Sequence, residues 1–259
     1  MKTHIFFIFL LITPALYSQT SPYPLVTDRP DHTESSSVVP AGTLQIETGM
    51  VYESDRFTSG DFSTSVKSFN MATTLLRYGL TDFFEFRIGS EYLLQKTENN
   101  AGQETLKGVN GLDLGTKIFL VNEEGYVPET SFILHVNFPV GNDAFHDDKI
   151  LPTMLFAMSH SLSEKIGLGY NLGGEWTEAE EINYLYSVAI GVELTGKLSG
   201  FIESYGASSK DDPSSLIVDT GVTYLVKPTL QLDTSIGYSL SEESPDWFIN
   251  AGFSWRLPE

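Results

Sequence analysis

The sequence has no cysteine, few basic residues and, beyond its first residues, no long apolar run. Cysteine is absent from all 259 residues, which excludes disulfides, thiolate nucleophiles and cysteine zinc sites. Only 15 lysines and arginines stand against 34 acidic residues, for a formal charge of −19. A polyanion would be repelled, so nucleic acid is not an expected partner. Membrane-spanning helices are excluded, because each needs roughly 20 consecutive apolar residues.

The first 18 residues have the pattern of a secretory signal. Lys2 precedes an apolar run over residues 5–12, and Pro14-Ala15-Leu16-Tyr17-Ser18 follows. This order predicts export with cleavage between Ser18 and Gln19. A membrane anchor is the alternative, which the short apolar run disfavours. We therefore expect residues 1–18 to be a signal peptide, residues 19–42 a periplasmic segment, and residues 43–259 the folded domain.

From Leu44 onward, apolar residues recur at every second position, in segments separated by Gly, Asn, Asp, Ser and Pro. This spacing predicts β-strands, whereas the helical period of 3.6 is nowhere sustained. The pattern predicts twelve strands, at 43–53, 67–79, 82–94, 109–121, 129–139, 150–161, 165–175, 183–194, 197–206, 214–226, 229–239 and 246–257.

The predicted connections alternate in length. Tight turns at 80–81, 162–164, 195–196 and 227–228 alternate with mostly longer polar joins near 54–66, 95–108, 140–149, 176–182, 207–213 and 240–245. An even strand count, short turns at one end and longer loops at the other are typical of outer-membrane barrels. We expect an all-β fold, an antiparallel transmembrane β-barrel of about twelve strands with short periplasmic turns and longer extracellular loops. A soluble sandwich, which also alternates, is the alternative.

One face of the predicted strands is consistently apolar, and it carries aromatic residues near both ends. Such girdles favour the headgroup depth of a membrane, although strands are rich in aromatics in any case. Phe84, Tyr224 and Trp255 lie on this apolar face near the short turns. The predicted aromatic girdle is formed by Tyr52, Tyr92, Tyr184, Tyr238, Trp247 and Trp255.

The opposite face carries glycine and charged residues, and carboxylates are in excess. Charges within a membrane span are best placed in a polar interior, so we expect an acidic lumen. A ladder of salt bridges that fills the barrel is the alternative. The predicted lumen-lining residues are Glu47, Glu85, Arg87, Glu91, Asp113, Lys117, Glu175, Glu193, Glu203, Asp219, Asp233 and Arg256.

Between the signal and the first strand lies the segment Thr27-Asp28-Arg29-Pro30-Asp31-His32-Thr33-Glu34-Ser35, followed by Val39-Pro40-Ala41-Gly42-Thr43-Leu44-Gln45-Ile46-Glu47-Thr48-Gly49. These motifs, with the later Leu76-Arg77-Tyr78-Gly79-Leu80-Thr81-Asp82 and Pro139-Val140-Gly141, resemble the phenol-degradation meta-pathway (MetA-pathway) family of outer-membrane transporters. The resemblance implies an outer-membrane barrel with a transport role and supplies no catalytic residues.

The N-terminal motif is predicted to be an ordered, extended coil. Pro30 cannot donate to a ladder and disfavours helix at Arg29. The hypothesis is that this segment enters the periplasmic mouth as a partial plug, with Arg29 binding lumenal carboxylates and Asp28, Asp31 and Glu34 requiring partners of their own. A twelve-stranded barrel leaves a modest bore that a short segment can constrict. A flexible periplasmic tail is the alternative.

Two histidine-carboxylate clusters and one serine-histidine pair contain side chains that bind metals or catalyse hydrolysis in other proteins. Asp31-His32 with Glu34, and His146-Asp147-Asp148, lack recognised ligand spacing, so no metal is predicted. His160 and Ser161 have the side chains of a lipid hydrolase, but neighbours in a strand face opposite ways. We therefore predict neither an enzyme nor a cofactor.

The expected function is passive passage of small solutes through an acidic outer-membrane channel of a Gram-negative cell. The alternatives are a non-conducting structural or adhesive barrel acting through its outer loops and, less favoured, a lipid-cleaving barrel. The expected partners are outer-membrane lipid, the outer-membrane assembly machinery and a small solute. The sequence leaves the identity of the solute and the oligomeric state open.

Overall fold

A computed structural model describes residues 23–59, 62–142, 145, 148–210, 214–241 and 245–257. They form a closed barrel of twelve antiparallel strands, which confirms the predicted fold. The strands are β1 Leu44–Ser59, β2 Phe62–Thr81, β3 Phe84–Asn99, β4 Gly102–Val121, β5 Glu129–Phe138, β6 Leu151–Ser163, β7 Ile166–Trp176, β8 Ile182–Thr195, β9 Leu198–Ser208, β10 Ile217–Lys227, β11 Leu230–Ser239 and β12 Trp247–Arg256. The predicted signal peptide and its cleavage point lie outside the described residues.

The barrel has a polar interior and an apolar exterior, the reverse of a water-soluble barrel. In β11, Asp233 and Ser235 are 6% and 3% exposed, whereas Leu232 and Tyr238 are 48% and 51% exposed. Because strand side chains alternate between faces, this pattern places polar groups inside and apolar groups outside. In the part of the chain that the structure describes, no helix is both long and apolar enough to cross a membrane.

The two ends of the barrel differ as predicted in their connections, with one correction. The terminal end, where β1 begins and β12 ends, carries the short turns, and its longest join is 122–128. We name the opposite end the loop end. There, the predicted loops at 54–66 and 95–108 are wrong, because β1–β4 are 16 to 20 residues long and continue as extended hairpins. The β3–β4 join is only the two residues 100–101.

A β-bulge in β2 changes which residues face the lumen. Met71 pairs with Met50 and Tyr92, but the register then shifts, and Ala72 adopts a positive φ of 52°. A bulge inserts one residue and reverses the phase of the strand beyond it. Arg77 consequently points inward and is fully buried. The barrel closes by pairing β1 with β12, from Gln45–Arg256 to Ser54–Trp247.

Candidate functional site: a segment seated in the lumen

The N-terminal segment, residues 23–42, lies inside the barrel, where wall side chains hold its backbone. Gln45 Nε2 donates to the Val26 carbonyl at 2.8 Å. Asn171 accepts from the Glu34 amide at 2.7 Å and donates to the Glu34 carbonyl at 3.0 Å. Buried backbone polar groups need such partners, and a segment outside the sheet must take them from the wall. The seated segment is therefore part of the packed interior.

The C-terminal end of the segment is fixed where it joins the wall. Ala41 forms a parallel bridge with Gly79, and the Gly42 amide donates to the Gly79 carbonyl at 2.8 Å. A Cβ placed on Gly79 would lie 2.3 Å from the Val39 carbonyl oxygen. Only a residue without a side chain allows the two backbones to approach this closely.

Asp28 lies among three buried cations of β2, β3 and β4, which we name the basic wall: Arg77, Arg87 and Lys117. Its Oδ2 atom is 3.1 Å from Arg77 Nη1, 2.8 Å from Arg87 Nη1 and 3.0 Å from Lys117 Nζ. All four side chains are at most 2% exposed. Buried charges persist only when paired and hydrogen-bonded, so the Asp28 carboxylate stabilises three cations at once.

Further carboxylates complete the compensation of the basic wall. Arg77 pairs with Glu85 at 2.8 Å and with Glu47 at 2.9 Å, both from the wall itself. Arg87 Nη2 is 2.6 Å from Glu34 Oε2, which belongs to the segment. Wall and segment therefore neutralise these cations jointly.

The segment carboxylates next to the basic wall are strongly acidic. Burial opposes ionisation of Asp28, but Arg77, Lys117 and Arg87 outweigh it and hold the pKa well below its ordinary value. Burial also opposes ionisation of Glu34, yet Arg87 and His135 together outweigh it and lower the pKa to about 2. Both groups are therefore ionised at neutral pH.

The facing side of the lumen carries carboxylates, which we name the acidic wall: Glu203, Asp219 and Asp233 on β9, β10 and β11. Arg29 Nη2 donates to Asp233 Oδ1 at 3.0 Å and to Asn250 Oδ1 at 2.5 Å. In a closed twelve-stranded barrel, β9 lies six strands from β3 and thus opposite it. The two walls therefore place charges of opposite sign across the lumen.

On the acidic wall the segment contributes mainly backbone donors. Glu203 accepts hydrogen bonds from the backbone amides of His32 and Thr33 at 2.7 and 2.5 Å. The Thr33 hydroxyl also donates to Glu203. Burial raises the pKa of Asp31 well above its ordinary value, and the negative charge of Glu203 raises it further. Asp219 Oδ1 is buried and has no hydrogen-bond partner among the described residues. Charge compensation is thus weaker here than at the basic wall.

Cavities lie on both sides of the seated segment. Toward the loop end are cavities of about 480 and 360 Å³, and the larger is walled by Asn171, Leu185 and Tyr205. Toward the terminal end is a cavity of about 290 Å³ that reaches Gly167 and Gly191. Asp31 and Glu34 line both the largest cavity and the one toward the terminal end. The segment is therefore a thin partition between two open parts of one lumen.

The predicted lumen residues divide by depth. Glu91, Asp113 and Glu175 are half-buried toward the loop end, and Glu193 is exposed beside the short turn that follows β8. Their part in solute passage stays a prediction. The predicted residues that are buried inside the barrel are Glu47, Glu85, Arg87, Lys117, Glu203, Asp219, Asp233 and Arg256.

Arg77 is the main interior residue that the sequence prediction omitted. The alternation of Leu76, Tyr78 and Leu80 on the opposite face could have identified it, but the bulge at Ala72 breaks the pattern upstream. The expectation of only three lysines and arginines on the lumenal wall, Arg87, Lys117 and Arg256, is therefore corrected to four in the described chain. Other omitted interior groups are Gln45, His135, Asn171, Tyr205 and Asn250, of which His135 Nδ1 lies 2.5 Å from Asp113 Oδ1.

The predicted girdle residues lie on the outer face in two groups. Tyr52 and Trp247 have ring centroids 5.5 Å apart on neighbouring strands. Tyr184 and Tyr238 are exposed near the loop end, and Trp255 is exposed near the terminal end. Tyr92 is half-buried, and lipid contact for all six stays a prediction.

The two histidine-carboxylate clusters and the His160–Ser161 pair make stacking and hydrogen-bonding contacts where the structure describes them. Among the described residues no group of three or more potential ligands is arranged to hold a metal, and His146 and Asp147 lie outside that part of the chain. His32 instead stacks on Tyr205 at 4.2 Å. His160 stacks on Tyr170, and the neighbouring Ser161 amide donates to Glu123 at 3.0 Å.

The fold and the polar interior define the chain as an outer-membrane-type β-barrel, and comparisons with solved structures agree. The COG4313 outer membrane channel from Pseudomonas putida F1 matches at 14% identity and a TM-score of 0.62, over 86% of this chain and 98% of the other. The translocator domain of autotransporter NalP from Neisseria meningitidis matches at 10% identity and 0.56, over 84% and 89%. The KdgM porin matches at 5% and 0.51, over 83% and 99%. At identities this low, the TM-scores show a shared fold and nothing further.

The chain belongs to the family described as "Putative MetA-pathway of phenol degradation", whose profile matches residues 27–257. This confirms the resemblance carried by the N-terminal motif. The match begins at Thr27, so it includes Asp28, Arg29 and Glu34, the charged segment residues that form ion pairs with the walls. No curated protein matches the chain significantly.

Proposed function

We propose that this protein is an outer-membrane channel for small solutes, and that its N-terminal segment is the barrier within the lumen. The observation that carries the proposal is the position of the segment between two cavities. Cavities of about 480 and 290 Å³ lie on opposite sides of it, and Asp31 and Glu34 line both. Removal of the segment would join these spaces. Solved channels and porins with this fold support the same function.

The outer surface supports a location in the outer membrane of a Gram-negative cell, after export by a cleaved signal peptide. Met50, Phe86 and Leu232 are 48 to 51% exposed although they are large and apolar, and lipid is the solvent that would cover them. In this location both termini are periplasmic. Outer-membrane lipid and the outer-membrane assembly machinery are then the expected partners.

The charge of the lumen supports passive passage of cations or neutral polar solutes in preference to anions. On the barrel wall, eight predicted carboxylates stay inside or half-buried, against four lysines and arginines, Arg77, Arg87, Lys117 and Arg256. A lumen of one net sign concentrates ions of the opposite sign. Reversal potentials in a salt gradient test this, and a preference for chloride would contradict it.

The direct test is deletion of residues 19–37 followed by single-channel recording in planar bilayers. We expect a larger conductance and longer open times than in the full chain. Full-length Asp28→Asn serves as the companion variant, because it leaves the chain length unchanged. Unchanged conductance in both variants would contradict a plug.

A non-conducting barrel is the second candidate, and the saturated interior favours it. Asp28, Arg77, Arg87 and Lys117 are almost completely buried in mutual contact, as they would be in a barrel that is filled for stability. Under this alternative, no variant of the segment conducts, whereas the outer loops can still bind a partner.

A further inference from the structure

Two neighbouring side chains of the segment are bound by the barrel as a ligand would be. The Asp28 carboxylate lies within 3.1 Å of three cationic groups, those of Arg77, Arg87 and Lys117. The Arg29 guanidinium extends to a different part of the wall. The barrel therefore binds a carboxylate and a guanidinium that are carried by adjacent residues of one chain.

The place of the Arg29 guanidinium is shaped for a flat cation. It has an acidic partner in Asp233 at 3.0 Å and an amide acceptor in Asn250 at 2.5 Å. A Cβ on Gly49 or Gly252 would approach Arg29 Nη2 to 2.2 or 2.3 Å. The missing side chains therefore leave a slot, and planar guanidinium groups suit such a paired acceptor site.

Asp28 and Arg29 both line the same cavity. The cavity of about 360 Å³ toward the loop end is lined by Asp28 and Arg29, and also by Glu47, Thr73 and Asn110. A volume of this size accommodates a small organic molecule. A solute that enters from the loop end thus meets the two charged groups of the segment together.

Resting on the proposed channel function, we propose that the places of Asp28 and Arg29 form a solute-binding site for small amphoteric molecules that carry a carboxylate and a guanidinium or ammonium group. The segment occupies this site with its own carboxylate and guanidinium. A solute with the same two groups competes with the segment for this site. When the segment is released, such a solute binds there and slows its own passage. Carboxylates that bind several cations are held by strong charge-assisted hydrogen bonds.

The test uses full-length protein with Asp28→Asn and Arg29→Gln, which retains the segment but neutralises both of its charged groups. L-Arginine is compared with agmatine, which has the guanidinium and lacks the carboxylate. We expect arginine to block the variant channel at a concentration about tenfold lower than agmatine, as expected for loss of one charged hydrogen-bonding group. Equal block by both compounds would overturn the proposal.

Wall variants in the same background locate the site. Lys117→Gln should weaken the arginine block, and Lys117→Arg should restore it because the positive charge returns. Asp233→Asn should weaken the block by both compounds, whereas Glu164→Gln, in the exposed turn between β6 and β7, serves as the control and should change neither. A block that is insensitive to Lys117→Gln and Asp233→Asn in folded barrels would overturn the assignment.

Calorimetric titration of arginine into the detergent-solubilised variant separates this proposal from the channel proposal. Binding without conductance would contradict the channel and retain the site. Conductance without arginine binding would retain the channel and overturn the site.

Discussion

The basic wall and the acidic wall hold the same segment in different ways. On the basic wall, Arg77, Arg87 and Lys117 are matched by wall and segment carboxylates in direct contact. On the acidic wall, the described ion pair to the segment is the one between Arg29 and Asp233. Glu203 there accepts mostly uncharged donors. One side is thus neutralised, and the other keeps an excess of negative charge.

This difference indicates where the segment is secured and where it is easily released. Loss of one partner from a buried ion pair is strongly unfavourable, whereas an incompletely compensated cluster already opposes burial. The basic wall should therefore hold the segment, and the acidic wall should limit how firmly it is held. The variants below test this contrast in order of expected effect.

Asp28→Asn should have the largest effect, because it removes the carboxylate shared by three buried cations. Loss of a partner from a buried pair costs about 3–5 kcal/mol, enough to shift the segment to the released state. We expect a large rise in open probability in planar bilayers. If the variant barrel folds, as shown by its heat-modifiable gel mobility, and conducts like the wild type, the basic wall does not secure the segment.

Arg29→Gln should also favour release, but less strongly. It removes one ion pair, with Asp233, while the contacts of Asp28 with the basic wall stay in place. We expect open probability between those of the wild type and Asp28→Asn, measured in the same bilayers. An effect larger than that of Asp28→Asn would reverse the ranking of the two walls.

Asp31→Asn should act in the opposite direction, although it also removes one negative charge. The raised pKa of Asp31 in the seated segment means that the seated state retains a proton which the released state loses above about pH 4. Rising pH therefore favours release, and the neutral Asn removes this effect. We expect lower open probability than wild type at pH 7 and no difference below about pH 4. Increased opening at pH 7 would contradict the assigned environment.

The lowered pKa values of Asp28 and Glu34 give the reverse dependence. Their ionised forms stabilise the seated segment above about pH 4, and this stabilisation is lost as pH falls toward 2. Acid release should therefore occur in wild type and be absent in a variant that lacks both carboxylates.

Gly169→Ala should give the smallest effect. A Cβ there would lie 3.3 Å from Thr33 Cγ2, so the segment must shift by a few tenths of an ångström. Gly191→Ala, on the neighbouring strand with nothing within 4 Å of its Cβ, is the matched control. We expect a small increase in open probability for Gly169→Ala alone. Equal open probabilities of the two variants would contradict the contact between Thr33 and the wall at Gly169.

Strand number and the polarity of the two faces could be predicted because lipid on one side and polar groups on the other impose a period of two. The extended hairpins of β1–β4 could not be predicted from the sequence. Where Thr64, Ser65 and Lys67 continue β2, no apolar face is required, so the sequence has the composition of a loop. Backbone pairing, for which the sequence gives no alternating signal, builds these strands.

Most residues of the candidate site could be predicted, but Arg77 and the pairing of the cations with Asp28 could not. The pattern around Asp28 and Arg29 identified charged groups that need partners. Which cations surround Asp28 depends on barrel closure and on the bulge at Ala72, and both are set by contacts distant in sequence. The sequence therefore predicted a net acidic lumen but not the separation of its charges onto two walls.

The central claim is that the seated segment closes the lumen, and a reversible cross-link tests it most directly. Thr33 Oγ1 lies 2.8 Å from Ser187 Oγ, and the chain has no native cysteine. Full-length Asp28→Asn protein carrying Thr33→Cys and Ser187→Cys is recorded in a bilayer under oxidising and then reducing conditions. We predict a closed channel when the disulfide is formed and an open one after reduction. Equal conductance in both states, with cross-linking verified, would contradict the account.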